Sequence, residues 1–118
     1  MAKQILIVDD NPNMSSLLSD MLEVFDFESV RADDGQKALD ELDKAPFSMV
    51  ITDMRMPNMT GLELLDKIKA KYPKLPVVLI SGYSINDLDN GEDGIKPDGF
   101  LAKPFMMSDI EKLLNSLL

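Results

Sequence analysis

The sequence contains no cysteine, no histidine and no tryptophan in its 118 residues. Without cysteine there is no disulfide framework, no thiolate metal site and no thiol nucleophile. Without histidine the commonest general base and the commonest nitrogen ligand for metals are both missing. A bound metal must then be held by oxygen, which points to magnesium or calcium. Positive charge is scarce as well: 12 basic residues face 21 acidic ones, for a net charge of -9. Such a surface does not attract nucleic acid unaided. No apolar run approaches the ~20 residues of a membrane span. Met1-Ala2-Lys3-Gln4 leads straight into a strand pattern, without signal-peptide design. The expectation is one cytoplasmic domain covering residues 1–118, large enough to fold without staples.

What the sequence does contain is a set of short apolar runs that end in polar residues. Ile5 to Val8 is continuous and apolar, as in a strand buried on both faces of a parallel sheet. It ends in Asp9-Asp10. Asn11-Pro12 then opens a helix. Met14, Leu17, Leu18, Met21, Leu22 and Phe25 supply its apolar face. Phe27 to Ala32 reads as a mixed strand nearer an edge. Asp33-Asp34-Gly35 starts a helix of about ten residues marked by Ala38, Leu39 and Leu42, which Ala45-Pro46 ends. Met49 to Asp53 is the next buried strand, and Pro57 stops regular structure after it. Thr60 and Glu63 form a capping-box pattern at the head of a helix running to about Lys71. Val77 to Ile80 is a fourth strand, ending at Ser81-Gly82.

Residues 84–99 have few aliphatic side chains, three glycines, a proline and five acids. The spacing asks for a fourth helix there, but the propensities are poor, so a short or irregular helix or a loop is expected. The acids of this run read as solvated and mobile, since they lack the ordered spacing of a calcium loop. Phe100 to Ala102 is a short last strand, followed by Lys103-Pro104. Ser108-Asp109-Ile110-Glu111 has a second capping-box pattern, and Ile110, Leu113, Leu114 and Leu117 form the apolar face of the last helix. Strand and helix alternate five times, which implies an α/β fold: a parallel sheet with helices on both faces. The flavodoxin-like order 2-1-3-4-5 is the expected arrangement.

In such sheets the functional groups gather at the carboxyl ends of the strands, near the point where strand order reverses. Asp9, Asp10, Asp53, Ser81 and Lys103 all fall there. Three carboxylates and one ammonium leave a formal charge of minus two, which one divalent cation cancels. With oxygen ligands only, Mg²⁺ is the expected ion. A carboxylate beside a metal, a hydroxyl and an ammonium suits phosphoryl transfer, which depends on positioning and on neutralising the phosphoryl oxygens. Asp53 is the candidate nucleophile. Asp10 and Asp9 are candidate metal ligands. Ser81 and Lys103 are candidate partners of the phosphoryl oxygens.

At these residues the chain resembles the receiver domain of two-component response regulators, a CheY-like family. The pieces that carry the resemblance are Ile5 to Asp10, Val50 to Leu65 with Asp53, Pro57 and Gly61 in place, Leu79 to Gly82, and Phe100 to Phe105. The resemblance implies that Asp53 takes a phosphoryl group from a phosphohistidine. The donor would be a separate sensor histidine kinase or histidine phosphotransfer protein. It implies Mg²⁺ held by Asp10, Asp53 and the main-chain carbonyl of Arg55. It also implies a cis bond at Pro104 and an inward turn of Phe100, coupled to Ser81, when the site is phosphorylated. The surface of the 84–99 segment, the last strand and the last helix would then change for a downstream partner.

Two departures accompany the resemblance. Arg55 and Tyr83, each two residues beyond a site residue, are larger than an open approach for water would favour; they are expected to slow loss of the phosphate. The poor 84–99 helix puts the usual output surface in doubt. Such a switch could stand alone, be a piece of a transcription factor or be the receiver of a hybrid kinase; the apolar last helix, with no linker after it, favours the first if the chain is complete. Two other functions compete. A Mg²⁺-dependent phosphohydrolase with an aspartyl nucleophile would want an acid at position 55, which is arginine. A flavin-binding electron carrier of the same fold would want a hydroxyl- or glycine-rich loop where Asp9-Asp10 stands.

Overall fold

The computed structural model describes residues 3–54, 59–81, 97–102 and 105–118. Five strands form one parallel sheet: β1 (Gln4–Val8), β2 (Glu28–Ala32), β3 (Met49–Asp53), β4 (Val77–Ser81) and β5 (Gly99–Ala102). Their order is β2-β1-β3-β4-β5, and every pairing is parallel. Four helices lie among the described residues: α1 (Pro12–Val24), α2 (Gly35–Lys44), α3 (Gly61–Lys71) and α4 (Met107–Leu117).

Alternation along the strands builds two cores. Ile5, Ile7, Met49, Ile51, Val78, Ile80 and Leu101 face Leu18 and Leu22 of α1 and Ile110 and Leu114 of α4. The intervening residues Leu6, Val8, Val50, Val77 and Leu79 face Ala38 and Leu42 of α2 and Leu64, Leu65 and Ile68 of α3. Both faces of β1, β3 and β4 are therefore covered, which is why these strands read as unbroken apolar runs. The edge strand β2 carries the mixed sequence expected of it.

The helix ends follow local chemistry. Asn11 caps α1 by accepting from the Asn13 N–H at 2.9 Å, with Pro12 at the first helical position. Asp34 caps α2 through the Lys37 N–H. Thr60 and Glu63 form the reciprocal capping box of α3.

Three local details differ from the sequence reading. The second box is not at Ser108: α4 starts at Met107, Met106 is the extended cap residue, and the Asp109 carboxylate accepts from the Met106 N–H at 2.7 Å. Phe27 is not yet strand. The chain leaves α1 through Asp26 in the left-handed region (φ 67°). The Phe27 N–H then donates to Leu22 O and the Asp26 N–H to Glu23 O, the paired bonds of a Schellman stop. In α1 the buried positions are Ser15, Leu18 and Leu22, while Leu17 is 45% exposed. Ser15 fits because its hydroxyl donates to Asn11 O within the helix.

Candidate functional site

The register of the sheet decides which residues meet. Val8 pairs with Thr52, so Asp9 and Asp53 are the next residues at the ends of adjacent strands. Strands β1 and β3 flank the point where strand order reverses. Asp53 pairs with Ile80 and Ser81 with Ala102, so Ser81 lies one step beyond Asp53 on β4, and Lys103 follows one step beyond Ala102 in sequence.

Asp9, Asp10 and Asp53 come together as the sequence predicts. One carboxylate oxygen from each lies within 4.8 Å of the others. Asp9 is fully buried, Asp53 half-buried and Asp10 exposed, so the cluster opens to solvent on one side. Asp9 is held in place: its Oδ1 accepts from the Asn11 N–H at 2.9 Å, and its own N–H donates to Ala32 O at 3.1 Å. The same Asn11 caps α1, so the positive end of that helix dipole adjoins the acidic cluster. Asn11 is a supporting residue that the sequence reading credited only as a helix start.

Behind Asp53 the backbone is tightly packed. The buried Thr52 hydroxyl donates to Asp53 O at 3.1 Å, the Met54 N–H to Ile80 O, and the Gly61 N–H to Met54 O. Gly61 has no room for a side chain: a Cβ there would sit 2.5 Å from Asp53 O and 3.0 Å from the Met54 Cα. The head of α3 therefore rests directly on the backbone that presents Asp53. Phe100 is half-buried and packs against the core between the sheet and α2–α3. Ser81 closes β4. The predicted roles of Arg55, Tyr83, Lys103 and Pro104, and the expected irregular helix up to residue 96, fall outside the described residues.

Three clustered carboxylates carry only oxygen donors. That set suits a hard divalent cation and does not suit a softer transition metal.

The sequence pattern of the response regulator receiver domain matches residues 5–115. The chain belongs to the response regulator receiver domain family. It is a phosphoacceptor switch of two-component signalling. It is 33% identical over 119 residues to chemotaxis protein CheY-3 of Vibrio cholerae, covering 97% of this chain and 90% of that one. It is 36% identical over 107 residues to the response regulator protein FleR of Pseudomonas aeruginosa, covering 89% of this chain but spanning only 22% of FleR. Among solved structures, that of the response regulator TrrA of Thermotoga maritima, a complex with Mg²⁺-BeF, superposes with a TM-score of 0.87. That pair is 30% identical, with 98% of this chain and 99% of the other covered. The receiver fold carries the strand order anticipated from the sequence. Neither the hydrolase nor the flavin carrier finds support in these likenesses. Among the described residues no helix is long and apolar enough to cross a membrane.

Proposed function

We propose that Asp53 is the phosphoacceptor of this receiver domain and that the reaction needs Mg²⁺. The observation that carries this reading is the convergence of Asp9, Asp10 and Asp53 within 4.8 Å at the reversal of strand order. Asp10, Asp53 and the main-chain carbonyl of Arg55 would hold the ion directly, and Asp9 would do so directly or through water. Bound there, a divalent cation supplies charge neutralisation for the phosphoryl oxygens. The Asp53 carboxylate attacks phosphorus, one O–P bond forms as the donor's P–N bond breaks, and the donor imidazole leaves with the electron pair. Lys103 pairs with a phosphoryl oxygen and Ser81 donates to another. The donor is a sensor histidine kinase or a histidine phosphotransfer protein; this chain, having no histidine, cannot be its own donor. Turnover of an independent substrate is not part of this function.

Phosphorylation makes the site about one charge unit more negative at neutral pH. Ser81 is drawn toward the new oxygens, and Phe100 turns inward from its half-buried position. The surface around the 84–99 segment, β5 and α4 changes for a downstream protein. Arg55 and Tyr83 shield the acyl phosphate, so replacing both with small residues should speed its loss. The test of the switch is NMR with Mg²⁺ and beryllofluoride as the acyl-phosphate mimic. Shifts spreading from Asp53 to Phe100 and α4 are expected. Shifts confined to the three aspartates and their neighbours would overturn the relay.

A further inference from the structure

At the opposite end of the sheet from the aspartates, Lys69 and Asp98 form a second charged node. Lys69 lies in the last turn of α3, and Asp98 immediately precedes β5. The Lys69 ammonium donates to Asp98 Oδ2 at 2.7 Å and to Leu75 O at 2.6 Å. The same Asp98 oxygen accepts from the Val77 N–H at 2.8 Å, and the Asp98 N–H donates to Val77 O at 2.8 Å. Asp98 therefore extends the β4–β5 ladder by one rung, using its carboxylate where a strand would use a carbonyl. The Lys69 side chain is 11% exposed and that of Asp98 35%. This pair is thus more shielded than the surface bridge between Lys71 and Asp43 (59% and 52%).

We propose that Asp98 and Lys69 are positioning residues for phosphoryl transfer, because they fix the register of β5 on β4. This rests on the assignment of Asp53, Ser81 and Lys103 above. Strand β5 needs such an anchor: it is four residues long, lies at the edge of the sheet and has only β4 beside it. Of its four residues, which begin with a glycine, only Leu101 is buried, so few side chains pin its register, and a slip of one residue exchanges its two faces. Here a slip would exchange Phe100, on the α2–α3 side, with Leu101, on the α1–α4 side. It would also move the strand's exit, and so the start of Lys103, by about 3.3 Å along β4. With Asp98 bound to Val77, Gly99 is opposite Val78 and Ala102 opposite Ser81, so the chain reaches Lys103 one residue past Ser81. The three aspartates, one at the end of β3 and two just beyond β1, do not depend on this register.

That separation supplies the test. Wild type, Asp98→Ala and Asp98→Asn are compared for the rate of phosphorylation by phosphoramidate at saturating Mg²⁺. Affinity for Mg²⁺ is measured alongside by NMR titration, well below each melting temperature. Asp98→Ala should slow phosphorylation at least tenfold while Mg²⁺ affinity stays within twofold. Asp98→Asn, whose amide oxygen still accepts from Val77, should recover most of the rate. If Asp98→Ala does not fold, Lys69→Met carries the same expectation, with a several-fold slowing. A folded Asp98→Ala or Lys69→Met that phosphorylates at the wild-type rate overturns the proposal, as does a parallel loss of Mg²⁺ affinity. Failure of wild type itself to be phosphorylated on Asp53 would instead overturn the site assignment on which the proposal rests.

Discussion

Replacing Gly61 with alanine adds one methyl group at the point where α3 meets the end of β3, which carries Asp53. That methyl would sit 2.5 Å from Asp53 O and 3.0 Å from the Met54 Cα, and both neighbours are backbone. Ordinary contact begins near 3.4 Å, so the head of α3 and the end of β3 must separate by close to 1 Å. Forcing a methyl into packed backbone costs about 1–3 kcal/mol. The better helix propensity of alanine returns at most ~1 kcal/mol, and less at the first helical position. A net destabilisation of about 1–2 kcal/mol is expected. With an unfolding entropy of ~2.1 cal/mol/K per residue, it lowers the Tm by roughly 4–8 °C. The larger effect should be on function, because misplacing a reacting group by ~1 Å can cost ~10²-fold in rate. Circular dichroism melts and phosphoramidate uptake on the same sample measure both. A variant that melts at or above the wild-type temperature and is phosphorylated at the wild-type rate would refute the packing argument.

Other expectations follow from single observations. Asp26→Gly should raise stability by about 0.5–1 kcal/mol: it relieves the left-handed backbone at the α1 stop and removes a negative charge from the negative end of the helix dipole. A lower Tm would contradict this. Asp10→Asn should weaken Mg²⁺ binding at least tenfold while leaving the fold intact, read by NMR titration and a melt; unchanged affinity would remove Asp10 from the ligand set. The Asp43 carboxyl is held below its usual 3.8, first by the hydrogen bond from the Lys71 ammonium and then by that from the Tyr72 hydroxyl. Lys71 is raised above 10.5 and Tyr72 above 10.0, each chiefly by the Asp43 carboxylate. For a lowered acid, the stabilisation is present above 3.8 and lost as pH falls through the folded value. For the raised groups it is present below about 10 and lost as pH rises. An NMR titration should place the Asp43 midpoint below 3.8 and return it toward that value in Lys71→Met; an unmoved midpoint would contradict the tie between α2 and α3.

The strands and the acidic site were legible because both depend on short-range pattern. Ile5–Val8 and Met49–Ile51 are buried on both faces, so their burial is written as unbroken apolar sequence. Asp9 and Asp53 interrupt that burial where the strands end, and strand order alone then brings them together. What escaped was chemistry joining residues far apart, or competing with it locally. Asp98 read as one more acid in a solvated run. Its partners, Lys69 and Val77, are 29 and 21 residues away, and no local spacing announces them. Ser108 read as a cap, but Asp109 reaches back to Met106 and starts α4 two residues earlier than a cap at Ser108 would. Leu17 read as core, yet α1 turns Ser15 inward because a small, self-bonded hydroxyl is tolerated there. Gly61 entered only among the residues that carry the resemblance, whereas the structure gives it a close approach to Asp53.

The central claim is that Asp53 accepts the phosphoryl group in a cluster that requires a divalent cation. Its most direct test is intact-mass spectrometry after exposure to phosphoramidate, with Mg²⁺ or with a chelator, for wild type and Asp53→Asn. A single phosphoryl group is expected on wild type, with Mg²⁺ only, mapped to Asp53 and absent from Asp53→Asn. Uptake that persists in Asp53→Asn, or that ignores removal of the metal, would contradict it.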